Sequence, residues 1–225
     1  MRTIHANPYR ASALLLLLAF LLIGTASALG QAKATAPDAS QDPAQLVVAL
    51  ASNVIEAVRS DKAAQSGDAA ALQRLVEERV LPYIDFERTT RLSVGRAWRH
   101  ATAEQRLQLT SEFRTLLIRT YAGALATVRE YKVRVILTRK EGDDEVVVRT
   151  EVVAPRGDPI QLDYRLEKTA AVWKIYDVSV AGVWLVPTYQ TSFASEISQG
   201  GIERLITSLA ARNRQNAQNA AQAQS

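Results

Sequence analysis

The apolar residues between positions 42 and 130 recur every three or four residues, which is the spacing of amphipathic helices. Asp42 followed by Pro43 is a favoured helix start, and the sequence Ser66-Gly67-Asp68 separates two helices. Thr102 and Gln105 fit a capping box, so the longest helix is predicted to run from residue 102 to about 130. The pattern therefore predicts four helices before residue 130, and it becomes helical again after residue 182.

Between positions 131 and 180 the period changes to two, the spacing of β-strands with one buried face. The predicted strands span residues 131–140, 145–154, 160–168 and 171–180, and their short connections require an antiparallel meander. In the fourth strand two sets of apolar residues compete, so we expect either a β-bulge or a strand covered on both faces. The residues predicted for the buried face of the first two strands are Val133, Val135, Leu137, Val146, Val148 and Val152.

The two ends of the chain differ from this middle part. Residues 1–28 combine basic residues, an unbroken apolar run at 13–23 and an Ala-x-Ala site, and this order is typical of a cleavable signal peptide. The run is about half of the ~20 residues that a membrane-spanning helix needs, which argues against an uncleaved anchor. Residues 29–41 are predicted to form a flexible leader, and residues 214–225 a disordered low-complexity tail. Residues 42–213 are then one α+β domain, a four-stranded antiparallel meander packed against five to seven helices.

Composition excludes several kinds of chemistry. The chain has no cysteine, so disulfides, thiolate nucleophiles and cysteine-ligated metals are excluded, as is a lipoprotein anchor on cysteine. Removing the two arginines of the signal peptide lowers the net charge from +4 to +2, which weakens any case for nucleic-acid binding. His100 is then the one remaining histidine, and we expect it in a surface loop. The sequence therefore predicts no metal, no cofactor and no enzymatic activity; an esterase that uses His100 and a carboxylate-only glycosidase stay open as alternatives.

Ten short motifs between residues 46 and 213 resemble, in order, those of the MlaC family. These proteins are the periplasmic phospholipid-binding, or toluene-tolerance, components of the Mla lipid-asymmetry pathway. The motifs are residues 80–87 (VLPYIDFE), 95–99 (GRAWR), 112–117 (EFRTLL), 119–121 (RTY), 133–135 (VRV), 149–151 (RTE), 163–165 (DYR), 173–178 (WKIYDV), 192–197 (SFASEI) and 200–202 (GGI).

The resemblance implies a monomeric, non-enzymatic carrier in the periplasm. Its fold would enclose an apolar pocket for the acyl chains of a phospholipid and leave the headgroup near solvent. Its partners would be an outer-membrane lipoprotein complex and an inner-membrane ABC transporter with its lipid-binding subunit. Two alternatives remain: a carrier of another apolar lipid such as a hopanoid, and an adaptor with a filled core and no ligand. Trp184 and the sequence Thr188-Tyr189-Gln190 depart from the family pattern.

The predicted pocket lies between the long helix and the buried face of the sheet. Tyr121 shares a helix face with Leu117, and Val135, Val148 and Tyr164 lie mid-strand opposite them. Each of these residues could instead be an ordinary core residue. The three arginines named below could likewise be solvated surface charges. The residues predicted to contact lipid are Phe113, Leu117, Tyr121, Val135, Val148, Val152, Leu162, Tyr164, Tyr176, Val178, Tyr189 and Phe193, and those predicted to contact a headgroup or a partner are Arg96, Arg99 and Arg114.

Overall fold

The computed structural model describes residues 36–155 and 157–222, so the predicted signal peptide and most of the leader lie outside the described residues. The helices are α1 (Pro43–Ser60), α2 (Lys62–Gln65), α3 (Ala69–Arg79), α4 (Phe86–Val94), α5 (Ala103–Tyr121) and α6 (Leu185–Gln222). The strands are β1 (Lys132–Lys140), β2 (Glu145–Val153), β3 (Ile160–Thr169), β4 (Val172–Val180) and β5 (Val183–Trp184). Short 3₁₀ helices occupy Leu81–Tyr83, Gly95–His100 and Ala122–Glu130.

The helix starts follow the capping residues predicted from the sequence. The Asp42 carboxylate accepts hydrogen bonds from the backbone N–H groups of Ala44 and Gln45, at 2.9 and 3.2 Å. Thr102 and Gln105 form the reciprocal capping box at the start of α5, with distances of 3.2 and 2.9 Å. The four-residue helix α2 was not predicted, because it is too short to show a helical period.

The long helix is shorter than predicted. Regular α-helix ends at Tyr121, and Ala122–Glu130 winds as a 3₁₀ helix instead of continuing α5. This segment contains Gly123, Thr127 and Val128, which are all weak α-helix formers. They lower its preference for the α-helix, so the segment adopts the tighter 3₁₀ winding before β1 begins.

The predicted antiparallel meander is confirmed, with strand order β1-β2-β3-β4-β5. The two-residue strand β5 is an addition, paired through Ser179 with Trp184 and through Val180 with Val183. The turn between β4 and β5 is Ala181-Gly182, whose φ angles of 50° and 84° are typical of the type I′ turns that join twisted strands. The hairpin is too short to show a period of two in the sequence.

Two β-bulges change which side chains share a face of the sheet. In β1 the pairing shifts between Val135 and Leu137, so Ile136 is the extra residue. Leu137 therefore lies opposite Arg149, and its predicted position on the buried face is wrong. In β4 the pairing shifts so that Tyr176 is the extra residue, and most of the strand is buried on both faces. Both of the features expected for the fourth strand are thus present.

The buried apolar residues form two clusters. The sheet core joins α1, α3 and the 122–130 segment to one face of β2, β3 and β4, and α5 contributes only Ile118. The helical core joins α4, α5 and α6 around Leu109, Phe113 and Phe193. The apolar stripe of α5 thus packs mainly against helices, and its predicted position opposite the sheet is wrong. The helical period identifies the apolar face of a helix, but it does not identify what covers that face.

On the opposite face of the sheet, α4 contributes Arg88, whose side chain is only 12% exposed. Arg88 of α4 forms ion pairs with Glu145 and Glu167, and its guanidinium lies 4.0 Å from the centre of the Tyr176 ring. The Tyr176 hydroxyl donates a hydrogen bond to Glu145 at 3.1 Å. Arg88, followed by the hydrogen bond from Tyr176, lowers the pKa of the Glu145 carboxyl.

The outer edge of β4 is covered along its length. Strand β5 covers one end of this edge, and two backbone hydrogen bonds cover the rest. The Asp85 N–H donates to the carbonyl of Ile175 at 2.8 Å, and the Trp173 N–H donates to the carbonyl of Ala39 at 2.7 Å. The Tyr83 hydroxyl also donates to the carbonyl of Pro37 at 3.0 Å. The last residues of the predicted flexible leader are therefore held against the domain.

Helix α6 corrects the prediction for the C-terminal tail. The kink at Gly200-Gly201 divides the helix as predicted, and Gly201 adopts a φ of 69° that favours glycine. Beyond the predicted boundary at residue 213 the helix continues to Gln222. An existing helix extends without a new nucleation step, and the tail is rich in alanine and glutamine. Over the part of the chain that the structure describes, no helix is long and apolar enough to span a membrane.

Candidate functional site

Two adjoining clefts lie between α1 and the edge strand β1, and both are open to solvent. The first has a volume of about 560 Å³ and is lined by Ala49, Ser52, Asn53, Ile55, Glu56, Arg59, Tyr131, Lys132 and Val133. The second has a volume of about 340 Å³ and is lined by Gln41, Ala44, Gln45, Val48, Ala49 and Val135. Ala49 belongs to both.

Small side chains on one face of α1 keep the clefts open. Ala49, Ser52 and Glu56 follow one another at intervals of three and four residues, so they share the face that looks toward β1. The neighbouring face of α1 carries larger residues, including Leu46, Leu50 and Val54, which are buried in the sheet core. The helix is thus anchored along one stripe, and the short side chains beside that stripe do not fill the space toward β1.

The first cleft contains most of the polar groups. Arg59 forms an ion pair with Glu56 at 2.8 Å and donates a second hydrogen bond to the carbonyl of Arg129 at 2.9 Å. Lys132 is exposed, and its side chain makes no hydrogen bond or ion pair within the part of the chain that the structure describes. Asn53 is only 5% exposed, and its side-chain nitrogen Nδ2 has no hydrogen-bond partner in the described part of the chain.

The second cleft adjoins the sheet core through Val135. Val135 lines the cleft and also packs against this core. Tyr164 and Val178 pack against the same core. Tyr164 lies opposite Val148 in the sheet, with its hydroxyl next to Thr150. Burial raises the pKa of Tyr164 to about 12, an effect that the hydrogen bond with Thr150 only partly offsets. Val148 is 0% exposed, so in this structure it has no surface facing a cavity.

A separate aromatic group lies in the helical core. Phe113, Tyr189 and Phe193 contact one another with ring centroids 4.8–5.5 Å apart. Burial raises the pKa of Tyr189, and the neighbouring Tyr121 adds to this increase. Leu117 packs against the same cluster, whereas Tyr121 is 44% exposed.

Comparison with known proteins identifies the relatives of this fold. The family model described as MlaC protein matches residues 49–211, well over half of the chain. The chain belongs to the MlaC family. The resemblance seen in the sequence motifs is thereby confirmed.

One curated relative in the MlaC family is the intermembrane phospholipid transport system binding protein MlaC of Haemophilus influenzae. It is 25% identical over 175 residues, which cover 76% of this chain and 82% of the relative. A solved structure of the phospholipid-binding protein from Ralstonia solanacearum, in complex with a phospholipid, is 39% identical to this chain. It superposes with a TM-score of 0.73 and covers 81% of this chain and 99% of that one.

The predicted lipid-contact residues divide between the two clusters. Val135, Val148, Tyr164 and Val178 come together in the sheet core. Val152 and Leu162 share their sheet face, because each lies at an even number of residues from Val148 or Tyr164 without an intervening bulge. The predicted residues found in the helical core are Phe113, Leu117, Tyr189 and Phe193.

Tyr176 does not belong with either group. Its side chain lies on the opposite face of the sheet, under Arg88, because the bulge in β4 reverses the alternation at that point. Burial raises the pKa of Tyr176 to about 12, and the neighbouring Glu145 carboxylate acts in the same direction. Its predicted position on the pocket-facing side is therefore wrong.

The three arginines predicted for a headgroup or a partner are all exposed. Arg96 and Arg99 lie in the 3₁₀ helix Gly95–His100, and Arg114 lies on α5. None of them lines either cleft. Of the residues that line the clefts, the sequence predicted Val135 as a lipid contact and Val133 for the buried face of the sheet. It missed the cleft residues of α1, although one signal was present: Asn53 is a polar residue within the apolar stripe of that helix.

The remaining features singled out in the sequence lie away from the clefts. The Trp184 ring stacks at 4.0 Å from the guanidinium of Arg165, and Gln190 approaches the backbone of Gly95. His100 is exposed at the end of a 3₁₀ helix. Among the residues that the structure describes, no group of three His, Cys, Asp or Glu side chains is placed to hold a metal ion.

Proposed function

We propose that this protein is a non-enzymatic periplasmic carrier. It holds the acyl chains of a phospholipid in an apolar site and shuttles the lipid between an outer-membrane lipoprotein complex and an inner-membrane ABC transporter. The observation that carries the proposal is the 39% identity, over nearly the whole of its length, to a protein whose solved structure contains a phospholipid. Membership of the MlaC family supports the same function.

A carrier is physically necessary for such transport. Two acyl chains contain about 30 methylene groups, and exposing them to water costs about 25 kcal/mol at ~0.8 kcal/mol each. Free lipid therefore does not cross an aqueous compartment at a useful rate. A protein site as apolar as the bilayer makes the transfer from membrane to carrier nearly neutral in this respect, and the direction of transport is then set by the docking partners.

We propose that lipid enters between α1 and β1. The two clefts have volumes within or near the range of about 300–1,000 Å³ that is typical of small-molecule sites. The second cleft adjoins the sheet core at Val135, and Tyr164 and Val178 lie in the same core. Acyl chains that pass Val135 reach an apolar interior without crossing a polar layer. Helix α1 must shift outward to admit both chains fully.

Native mass spectrometry of the gently purified protein tests the function. The expected result is a species whose added mass matches a phospholipid, confirmed by lipid extraction. A polypeptide of bare mass in repeated preparations, with no extractable lipid, would overturn the proposal and favour an adaptor without a ligand. An added mass that matches a hopanoid would support the carrier function but identify a hopanoid, not a phospholipid, as the ligand. The same spectra test the expectation of a monomer.

We also propose that Arg96, Arg99 and Arg114 contact an acidic surface of a partner rather than the lipid. They are exposed and lie outside both clefts. Replacing all three with glutamate should leave the lipid content unchanged and slow lipid delivery to membranes that contain the partner complexes. Loss of the bound lipid would instead show that these arginines contact the lipid headgroup.

The predicted cleavage after residue 28 is checked by N-terminal sequencing of the same preparation.

A further inference from the structure

The hairpin of β4 and β5 exposes apolar side chains at its tip, residues 180–183. All four residues of the hairpin tip are exposed. Val183 is 59% exposed, and Val180, its partner in the strand register, is 43% exposed. Ile160 is also 43% exposed, and it lies on the same face of the sheet, two residues before the Leu162 that pairs with Val180. Apolar residues that are exposed together, unlike those exposed singly, indicate a contact with a partner.

The surface around the hairpin tip carries no net charge. Residues 178–195, which include the hairpin tip and the first part of α6, contain no charged residue, although charged residues make up 22% of the chain. The neighbouring loop before β3 contains one basic and one acidic residue, Arg156 and Asp158, so it adds no net charge. An uncharged tip can enter an apolar environment without the cost of dehydrating an ion.

Contacts with the neighbouring strand β3 hold the hairpin tip in place. The N–H of Ala181 donates a hydrogen bond to the carbonyl of Gln161 at 2.9 Å. The ring of Trp184, which directly follows the tip, lies 4.0 Å from the guanidinium of Arg165. Arg165 is itself held by an ion pair with the buried carboxylate of Asp177 at 3.2 Å. A tip that is already ordered loses little conformational entropy when it binds.

We propose that the hairpin tip docks the protein on the surface of a lipid bilayer. Val180 and Val183 enter the boundary between headgroups and acyl chains. Trp184 lies on the opposite face of the hairpin, at the level of the headgroups, where an amphipathic indole ring is favoured. The inference rests on the proposed function for its purpose, since a lipid carrier has to reach a membrane, but bilayer binding is measured independently of lipid transfer.

The sheet connects the hairpin tip with the proposed lipid entrance. A row of register partners on one face joins Val180 through Leu162 and Thr150 to Val135, which lines the second cleft. The row crosses three strand spacings of about 4.8 Å, or ~14 Å in all, which is close to the hydrocarbon thickness of one leaflet, about 15 Å. This continuity and the missing charge favour a bilayer over a protein surface, whose contacts normally include a polar rim.

The test measures binding of the purified protein to sucrose-loaded vesicles by co-sedimentation. The vesicles consist of phosphatidylcholine alone or of phosphatidylcholine with phosphatidylglycerol, each at low and at high salt. Val183→Asp is compared with Leu107→Asp, because Leu107 is a singly exposed leucine on α5, 73% exposed, and makes a matched control. Thermal unfolding checks that both variants are folded, which we expect because both positions are exposed.

We expect wild type to bind both kinds of vesicle, with little effect of salt, because the hairpin tip is apolar and uncharged. Val183→Asp should lower the partition coefficient at least about tenfold, the effect of losing one buried valine side chain. Leu107→Asp should change it less than about twofold. Equal binding by the two variants would overturn the inference. Binding that requires phosphatidylglycerol and disappears at high salt would also overturn it, because basic residues elsewhere would then hold the protein.

Native mass spectrometry separates this inference from the proposed function. Val183→Asp should keep its co-purified phospholipid, since the hairpin tip docks the carrier and does not hold the ligand. Loss of that phospholipid would assign Val183 to the lipid site and overturn the docking role. If wild type carries phospholipid but stays in the supernatant with every vesicle, the inference is wrong while the carrier function stands, and the exposed tip then fits a protein partner.

Discussion

Ala49→Trp is the substitution that most directly tests whether lipid enters between α1 and β1. Ala49 is exposed, and it is the residue shared by the two clefts. A tryptophan side chain buries about 150–250 Å² of surface when it packs against neighbours. At this position the indole lies over the junction of the clefts and obstructs a chain that passes from one to the other.

The cost to the fold should be small because the site is exposed. Replacing alanine with tryptophan in a helix loses at most about 0.7 kcal/mol of intrinsic helix propensity. For a domain of this size that corresponds to a fall in melting temperature of about 1–3 °C, at ~2–4 °C per kcal/mol. Val148→Trp is the opposite case, because Val148 is 0% exposed in the sheet core. Overpacking at such a site typically costs ~1–3 kcal/mol or more, and any loss of lipid there would be confounded by unfolding.

The assay combines thermal unfolding with native mass spectrometry of the purified variants. We expect Ala49→Trp to melt within about 3 °C of wild type and to have lost most of its co-purified phospholipid. The matched control is Ala70→Trp, an exposed alanine on α3 that lines neither cleft, which should keep both the stability and the lipid. Full lipid occupancy in Ala49→Trp would refute the entry route between α1 and β1. Equal loss in both variants would show that the effect is not specific to the clefts.

Two further predictions concern stability. Ala171, in the turn between β3 and β4, has a φ of 72°, a conformation that costs a non-glycine residue roughly 1–2 kcal/mol. Ala171→Gly should therefore raise the melting temperature by about 2–4 °C. Ala70→Gly, in a helix, should lower it. A lower melting temperature in both variants would contradict backbone strain at Ala171. The pKa of Tyr164 is raised from 10.0 to about 12, so its contribution to stability is fully present below pH 10 and is lost as pH rises through about 12. Tyr164→Phe should make the urea midpoint fall less steeply across that interval, although Tyr176 titrates there too; an unchanged slope would contradict the burial of the Tyr164 hydroxyl.

Local signals in the sequence determined most of the secondary structure. Asp42, Thr102 and Gln105 cap the helices that they were predicted to cap, because a capping bond joins residues only two or three positions apart. The period of two located four strands to within one or two residues, and the short turns required an antiparallel meander. Family membership could also be predicted from the sequence, because homologous chains keep the same short motifs in the same order.

Tertiary structure decided which apolar faces meet. The stripe of α5 packs in the helical core, and α1 and α3 cover the sheet instead. Periodicity marks a face as apolar, yet an apolar stripe fits a sheet and a pair of helices about equally well. Phe113, Tyr189 and Phe193, which were predicted to contact lipid, therefore pack in a different cluster from Val135 and Tyr164.

The positions of the bulges and of the clefts were likewise decided by the assembled domain. An extra residue at Ile136 or Tyr176 reverses the alternation of the strand, and no local feature of the sequence specifies where pairing with the neighbouring strand slips. The clefts exist because Ala49 and Ser52 face β1 at a distance that their short side chains do not fill. That distance is set by the packing of Leu46, Leu50 and Val54 on the other side of the helix, a long-range constraint that the spacing of residues along α1 does not contain.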